Sequence, residues 1–325
     1  MNALKQMAEF MKSSKFEFED IGYLPKELMP AFSHAYIEAF PEIKLPYDQL
    51  STFLNRKFRL INSGEFHNIA VISTVGGRVV SGYGIIRNKY QAHGKAIGGG
   101  LVCDVFTDSE FRRMGLFKRV SLLAIEREAL TDTSFLIGFP IRDEVMPGHV
   151  SVGWRHIFDM PLWWAFPLPG TVFNTVKNPK LEPAMFATEK EKIAIIPSAD
   201  FLSWRFSLHK VDYFLVKVSN SSDFAIVRKS RIRNIPFVCI IFMQVTSKKT
   251  SQELIKQIRK LSLRLGTLGV LGCWNDSYAR DLFIHSSGLK MSKRHQKVIV
   301  RQLKSHDYFN DESEYRLSWL DSDTL

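Results

Sequence analysis

Cysteine is scarce in this chain: three among 325 residues, Cys103, Cys239 and Cys273. Each lies in an apolar stretch that reads as a strand, so each is expected to be a small buried hydrophobe. There is no CxxC pair and no metal-ligand spacing. Neither a disulfide framework nor a metal is expected, and a reducing, cytoplasmic setting follows. Long apolar runs are missing too. The longest, residues 237–243, falls far short of the ~20 residues that span a bilayer. The charged start MNALKQMAEFMKSSKFEFED holds no run of signal-peptide length. No membrane span or secretory leader is therefore expected. A zinc finger, an aromatic RNA-binding signature and a clear helix-turn-helix are also absent. The net charge of +11, from 44 Lys and Arg against 33 Asp and Glu, is read as solvated surface charge that attracts polyanionic ligands, with no specific nucleic-acid partner.

What is present describes a globular α/β protein. Hydrophobic residues make up 45% and charged residues 24%, enough to bury sizeable cores, and the length allows two ordinary domains. In the first half the pattern predicts a strand over 16–21, helices over 26–40 and 47–60, and two strands over 69–74 and 79–87 around the Gly76-Gly77 turn. After Gly98-Gly99-Gly100 it predicts a strand over 101–106, a helix over 116–130 and a strand over 134–139. Residues 161–200 are rich in proline and aromatics and read as a connection packed on the body, because a disordered linker would not carry Trp163, Trp164 and Phe166. The second half repeats the theme, with strands over 212–218, 224–227 and 237–243, a helix over 251–265, a strand over 270–273, a short helix over 277–286 and a last strand over 297–303.

The stretch LVCDVFTDSEFRRMGLFKRV, residues 101–120, carries the chemistry. It runs from a strand through Arg112-Arg113-Met114-Gly115 directly into a helix. The first turn of a helix leaves amide N–H groups without intrahelical partners, and with the helix dipole these make an anion site. Gly115 lets the backbone approach a phosphate closely. Arg112 and Arg113 add positive charge.

This strand, Arg-x-x-Gly turn and helix resembles the acetyl-CoA-binding signature of the GCN5-related N-acetyltransferases, the GNAT superfamily. The resemblance implies that the amides of Arg113, Met114, Gly115, Leu116, Phe117 and Lys118 cradle the pyrophosphate of the cosubstrate acetyl-CoA, with Arg112 beside them. Phe117 departs from the family's small residue at that position. The thioester would lie where the fourth and fifth strands splay, against Val105 and Phe106, and the acceptor amine would attack it directly. Gly153-Trp154 matches a family dipeptide, which puts His149 where a tyrosine often protonates the departing thiolate. Asp104, a mid-strand carboxylate, is the candidate base or substrate contact. Arg142, Asp143 and Glu144 follow the fifth strand and are candidates for the acceptor side.

The second half has no Arg-x-x-Gly at its helix. The expected fold is thus two tandem GNAT-like mixed-sheet domains, the second degenerate: 1–165 catalytic, 166–200 connecting, 201–325 the second domain. Residues 201–206 and the terminal Trp319-Leu320-Asp321-Ser322-Asp323 resemble segments of bacterial tandem acetyltransferases near surface-polysaccharide genes. That resemblance implies an amino-sugar acceptor, nucleotide-linked or lipid-linked, and offers the acidic chain end as a second amine-binding candidate. An aminoacyl transferase of the FemABX kind and a non-catalytic CoA-sensing or partner-binding module stay open as alternatives.

Overall fold

In the computed structural model of the chain, the described residues are 17–322 apart from 42, 44, 59–67, 141, 188–190, 209, 210, 233 and 306. Phe16, the helix end expected at Leu60 and residues 323–325 lie outside them.

The first half runs β1 (Phe18–Ile21), α1 (Met29–Ala39), α2 (Tyr47–Lys57), β2 (Asn68–Thr74), β3 (Val79–Ala92), β4 (Lys95–Thr107), α3 (Leu116–Ala129), β5 (Thr133–Gly138), α4 (Met146–Ser151) and β6 (Arg155–Ala165). Then follow β7 (Thr175–Lys177), β8 (Ala194–Ile195), α5 (Ala199–Ser207), β9 (Tyr213–Lys217), β10 (Phe224–Ile232) and β11 (Ile235–Gln244). The chain closes with α6 (Lys248–Arg264), β12 (Val270–Cys273), α7 (Asp276–Asp281) and β13 (Lys290–Gln302). Among the described residues the strands form one mixed sheet in the order β1-β2-β3-β4-β5-β13-β6-β12-β11-β10-β9-β7, with β8 beside β3.

Two of its pairings are parallel, β4 with β5 and β11 with β12, and both lie inside antiparallel neighbours. Between them the halves exchange strands. β13, from the end of the chain, lies between β5 and β6, with Ile299 opposite Gly138 on one side and His156 on the other. β6, from the first half, pairs with β12 of the second. The sheet therefore runs unbroken from one half into the other.

Side-chain alternation sorts the core by face. On one face α3 packs its Leu116, Val120, Ala124 and Ile125 stripe onto β2–β5, and α6 packs Leu254, Ile255, Ile258 and Leu261 onto β9–β12. The other face is a single continuous cluster. It joins Phe32 and Tyr36 of α1, Leu50 and Leu54 of α2, Phe201 and Leu202 of α5 and the late residues Phe309, Tyr315, Leu317 and Trp319. The α3 stripe ends in Glu128, whose side chain is fully buried. Burying a carboxylate is tolerable only when it is paired and hydrogen-bonded. Arg87 grips it at 2.8 and 3.1 Å, and Thr133 and Asn68 donate to it as well.

Besides shifted boundaries, as in β10, which runs on to Ile232, and α7, which ends at Asp281, three features differ from the sequence expectation. β3 and β4 form a longer hairpin, turning at His93-Gly94. Gly98, Gly99 and Gly100 therefore lie within β4 and do not precede it. The reason is space: a Cβ on Gly99 would stand 2.6 Å from the Tyr90 ring, and one on Gly100 2.6 Å from Leu136. Second, residues 161–165 belong to β6 and not to the connection. Pro161 is accommodated at a register shift against β13, where a missing N–H is least costly. Third, β13 begins at Lys290, seven positions before the expected start at 297.

Replacing Gly99 with valine should destabilise the protein by about 1–3 kcal/mol through overpacking against Tyr90 and Phe135. Equilibrium urea unfolding checks this; an unchanged midpoint would mean that the hairpin can shift at no cost.

Candidate active site

β4 and β5 pair only as far as Val102 opposite Gly138. Beyond that point β4 continues to Thr107 with β3 on one side alone, and the chain after β5 turns away into α4. The gap is the floor of a cleft of about 1940 Å³, walled by α1, α2, β4, the start of α3 and α4. Small-molecule pockets usually hold roughly 300–1,000 Å³, so this one has room for a long ligand and a second reactant together.

The turn expected to bind phosphate stands at this cleft. Arg112, Arg113 and Phe117 line it. Gly115 adopts φ 77°, ψ 2° and is the N-cap of α3, and no side chain caps the helix there. A Cβ on Gly115 would meet nothing within 4 Å, so the approach to the amides is open. Among the described residues none of the backbone amides of 112–118 donates a hydrogen bond; the first to do so is Arg119, to Gly115 O at 3.1 Å. Arg113 is itself left-handed, at φ 66°, a conformation that costs roughly 1–2 kcal/mol outside glycine. The turn thus presents unpartnered N–H groups beside two exposed guanidinium groups. Of the other residues expected there, Lys118 is exposed, whereas the Leu116 side chain is part of the core. Met114 packs half-buried against the same core.

The corresponding helix of the second half, α6, starts differently. Ser247 and Thr250 form a reciprocal capping box: the Ser247 hydroxyl accepts from Thr250 N, and Thr250 Oγ1 accepts from Ser247 N, both at 3.2 Å. β11 likewise runs beyond its last pairing with β12, at Ile240 opposite Gly272. There the chain end fills the space. Asn275 donates to Tyr315 O and accepts from Leu317 N, Trp274 pairs with Ser318, and the Trp274 ring covers Gly272.

Asp104 sits on the cleft wall in a β-bulge. Asp104 and Val105 together oppose the single residue Tyr83, and Asp104 is left-handed at φ 52°. Its carboxylate is paired. Lys57 Nζ stands 2.7 and 2.8 Å from its two oxygens, and the Tyr36 hydroxyl donates at 3.1 Å. Lys57 and Tyr36 were not singled out from the sequence. A signal existed: Lys57 falls in the buried stripe of α2 with Leu50 and Leu54, where a lysine needs a partner. Val105 and Phe106 follow on the same wall, and Cys103 precedes them.

His149 reaches the cleft from α4, as the sequence places it beyond β5. It is 5% exposed, with its ring edge-on to Phe117 at 5.2 Å and Trp154 at 5.6 Å. Phe117 approaches so closely that a Cβ on Gly148 would lie 2.8 Å from it. Burial among these rings pushes the imidazole down to about 4. Nδ1 is buried without a hydrogen-bond partner. Arg142 and Glu144 line the cleft, while Asp143 is exposed and faces Lys297 at 3.4 Å. At the chain end, Asp321 and Ser322 are buried away from the cleft. Arg205 of α5 holds the carbonyls of Trp319 and Ser322 at 2.9 and 2.8 Å, and burial pushes the Asp321 carboxyl up to about 7.

No protein-family model and no curated protein matches this chain. Solved structures do match. A GCN5-related N-acetyltransferase from Anabaena variabilis superposes with a TM-score of 0.62 over 89% of this chain and 73% of its own, at 11% identity. The fold is that of the GCN5-related N-acetyltransferases. Another such protein, from Kribbella flavida, gives 0.59 over 88% and 71% at 10% identity. Eis1 from Mycobacterium abscessus gives 0.56 over 93% and 82% at 10% identity. At these identities the likeness concerns the GNAT fold alone. Among the described residues no helix is long and apolar enough to cross a membrane, and no group of three His, Cys, Asp or Glu side chains is placed to hold a metal.

Two variants probe the geometry. Lys57→Met should cost about 3–5 kcal/mol in urea unfolding, because it strands a buried carboxylate. Adding Asp104→Asn should recover much of that loss, and a double variant as unstable as the single one would count against the pairing. His149 supplies a pH signature. Its folded value lies below the ordinary 6.5, so the unfolded chain takes up the proton first and stability falls as pH drops from about 6.5 to about 4. The loss attributable to His149 is roughly 3 kcal/mol. His149→Phe should flatten that part of the pH profile of unfolding free energy, and an unaltered profile would refute the assignment.

Proposed function

We propose that this protein is an N-acyltransferase that moves an acetyl or related acyl group from acyl-CoA to a primary amine. The observation that carries the reading is the start of α3. It has a left-handed glycine, no side-chain cap and a row of unpartnered amides at the mouth of the β4–β5 splay. A diphosphate needs such a donor set, and the capped start of α6 lacks it. The same contrast favours acyl-CoA over an aminoacyl-tRNA donor, and it supports a reading in which residues 1–165 are catalytic and 201–325 are a degenerate second unit.

In this reading Arg112 and the amides of Arg113, Met114, Gly115, Leu116, Phe117 and Lys118 hold the pyrophosphate. The open side of β4 at Val105 and Phe106 accepts the pantetheine arm as an added strand. A β4 amide stabilises the oxyanion when the neutral amine attacks the thioester carbon, an electrostatic contribution of the preorganised kind. The C–N bond forms, the C–S bond breaks, and the proton lost by nitrogen must reach sulfur. Neutral His149 suits a relay: it can accept that proton and pass it to the thiolate, whose developing charge favours the imidazolium at that moment. Asp104, already occupied by Lys57 and Tyr36, contributes through the shape of β4 more than as a proton acceptor. Arg142 and Glu144 stand on the acceptor side.

The acceptor class is an amino sugar of a bacterial surface glycan, which rests on the resemblance of the chain to bacterial tandem acetyltransferases; the cytoplasmic setting rests on the three free, buried cysteines. Turnover of acetyl-CoA against a panel of amino sugars and other primary amines tests the class. Gly115→Glu puts a carboxylate and a strained φ of 77° at the turn. It should abolish CoA binding in calorimetry while Tm falls only modestly. Undiminished affinity would overturn the phosphate-turn assignment and with it this function.

A further inference from the structure

The second half carries a surface that acyl transfer does not use. Around the C-terminal end of α6, four large apolar side chains stand exposed: Phe166 at 64%, Leu268 at 62%, Leu263 at 50% and Ile235 at 43%. Hydrogen bonds tie their segments together. Arg259 Nε donates to Phe166 O at 2.8 Å, Leu268 N to Pro236 O at 2.9 Å and Lys229 Nζ to Leu265 O at 2.8 Å. Lys260 lies over the Phe173 ring, itself exposed.

The charge here is of one sign. Residues 160–181, 224–252 and 254–275 contain no Asp or Glu. They contribute Lys229, Arg231, Lys256, Arg259, Lys260 and Arg264, none of which forms an ion pair among the described residues. A protein surface normally intersperses charges of both signs and keeps large apolar groups scattered. Basic side chains rimming protruding aliphatic and aromatic ones are what an interfacial membrane contact requires: the cations meet anionic headgroups, and the apolar groups enter the boundary beneath.

We propose that this face docks the protein on the surface of a bilayer rich in anionic lipid. Nucleic acid fits less well, because Leu263, Leu268 and Ile235 offer neither a stacking ring nor a hydrogen bond to a base. Strand direction adds a geometric point. β5 and β6 run the same way and β11 and β12 run oppositely. The C-terminal end of β6 and the N-terminal ends of β11 and β12 therefore lie at the end of the sheet where the β4–β5 cleft opens. The proposal does not rest on the acyl-transfer reading.

Co-sedimentation of the full chain with phosphatidylcholine vesicles, with and without phosphatidylglycerol, tests it. Binding should require phosphatidylglycerol and weaken as salt is raised. Phe166→Ser with Leu268→Ser, both at exposed positions, should weaken vesicle binding about tenfold or more with charge unchanged, and Lys260→Glu with Arg264→Glu should do the same. Thermal unfolding confirms that each variant is folded. Equal binding to both vesicle types, no binding to either, or an apolar variant that binds as well as the parent would overturn the proposal. So would tighter binding of a duplex oligonucleotide that the apolar substitutions leave unchanged.

Discussion

The pairing of β13 with both β5 and β6 is the constraint on which the rest of the molecule depends. A strand from the end of the chain occupies the middle of the sheet, so neither half has a complete sheet without the other. Backbone groups buried in a sheet interior must be paired, and β5 on one side and β12 on the other meet that requirement only through β13 and β6. The continuous core on the α1, α2 and α5 face follows from the same exchange, since it packs across the seam. So does the burial of Trp319 to Ser322, because the segment after β13 returns to that face, where Arg205 gathers the carbonyls of Trp319, Leu320 and Ser322.

The exchange also explains why one structural device has two fates. Each half contains a parallel strand pair followed by a region where the strands part, and a helix whose N-terminus points toward the gap. In the first half the gap is left open and the helix begins with a left-handed glycine that no side chain caps. In the second half Tyr315 and Leu317, from the segment after β13, return to bond Asn275 beside Trp274 at the end of β12, and Ser247 with Thr250 caps the helix. A filled gap with satisfied amides is stable and inert. An open one with unpartnered amides leaves room for a ligand, and the proposed acyl-CoA reading draws on that contrast.

How far this was readable from the sequence depends on the range of the interaction. The Arg112 to Gly115 turn was legible because a glycine between a strand and an amphipathic helix is a local backbone requirement, and φ at Gly115 meets it. The strand and helix order was legible for the same reason, with boundaries shifted by a few residues. The exchange of β13 and β6 was not, since alternation within a strand is the same whichever neighbour it pairs with. The glycine run at 98–100 misled because the space it leaves is taken by Tyr90 across the hairpin and by Leu136 of β5. For His149 the position along the chain was legible, but its protonation was not. That is set by Phe117 and Trp154, which close around it from two other elements.

Asp104 shows how the local and the long-range parts meet. A left-handed conformation outside glycine is unfavourable by roughly 1–2 kcal/mol, and nothing in β4 itself enforces it. The enforcement comes from α1 and α2, which bring the Tyr36 hydroxyl and the Lys57 ammonium to the carboxylate. Without them the simplest strand would be regular, and Val105 and Phe106 would present the other set of edges. The bulge places two residues against Tyr83 alone and so shifts the alternation of β4 at the point where β5 departs. Strain held by surrounding contacts at such a point is expected where geometry serves a site. The ion pair thus acts on the cleft through the backbone: it fixes which amides and carbonyls of β4 face the open side, and it does so from helices that also line the cleft.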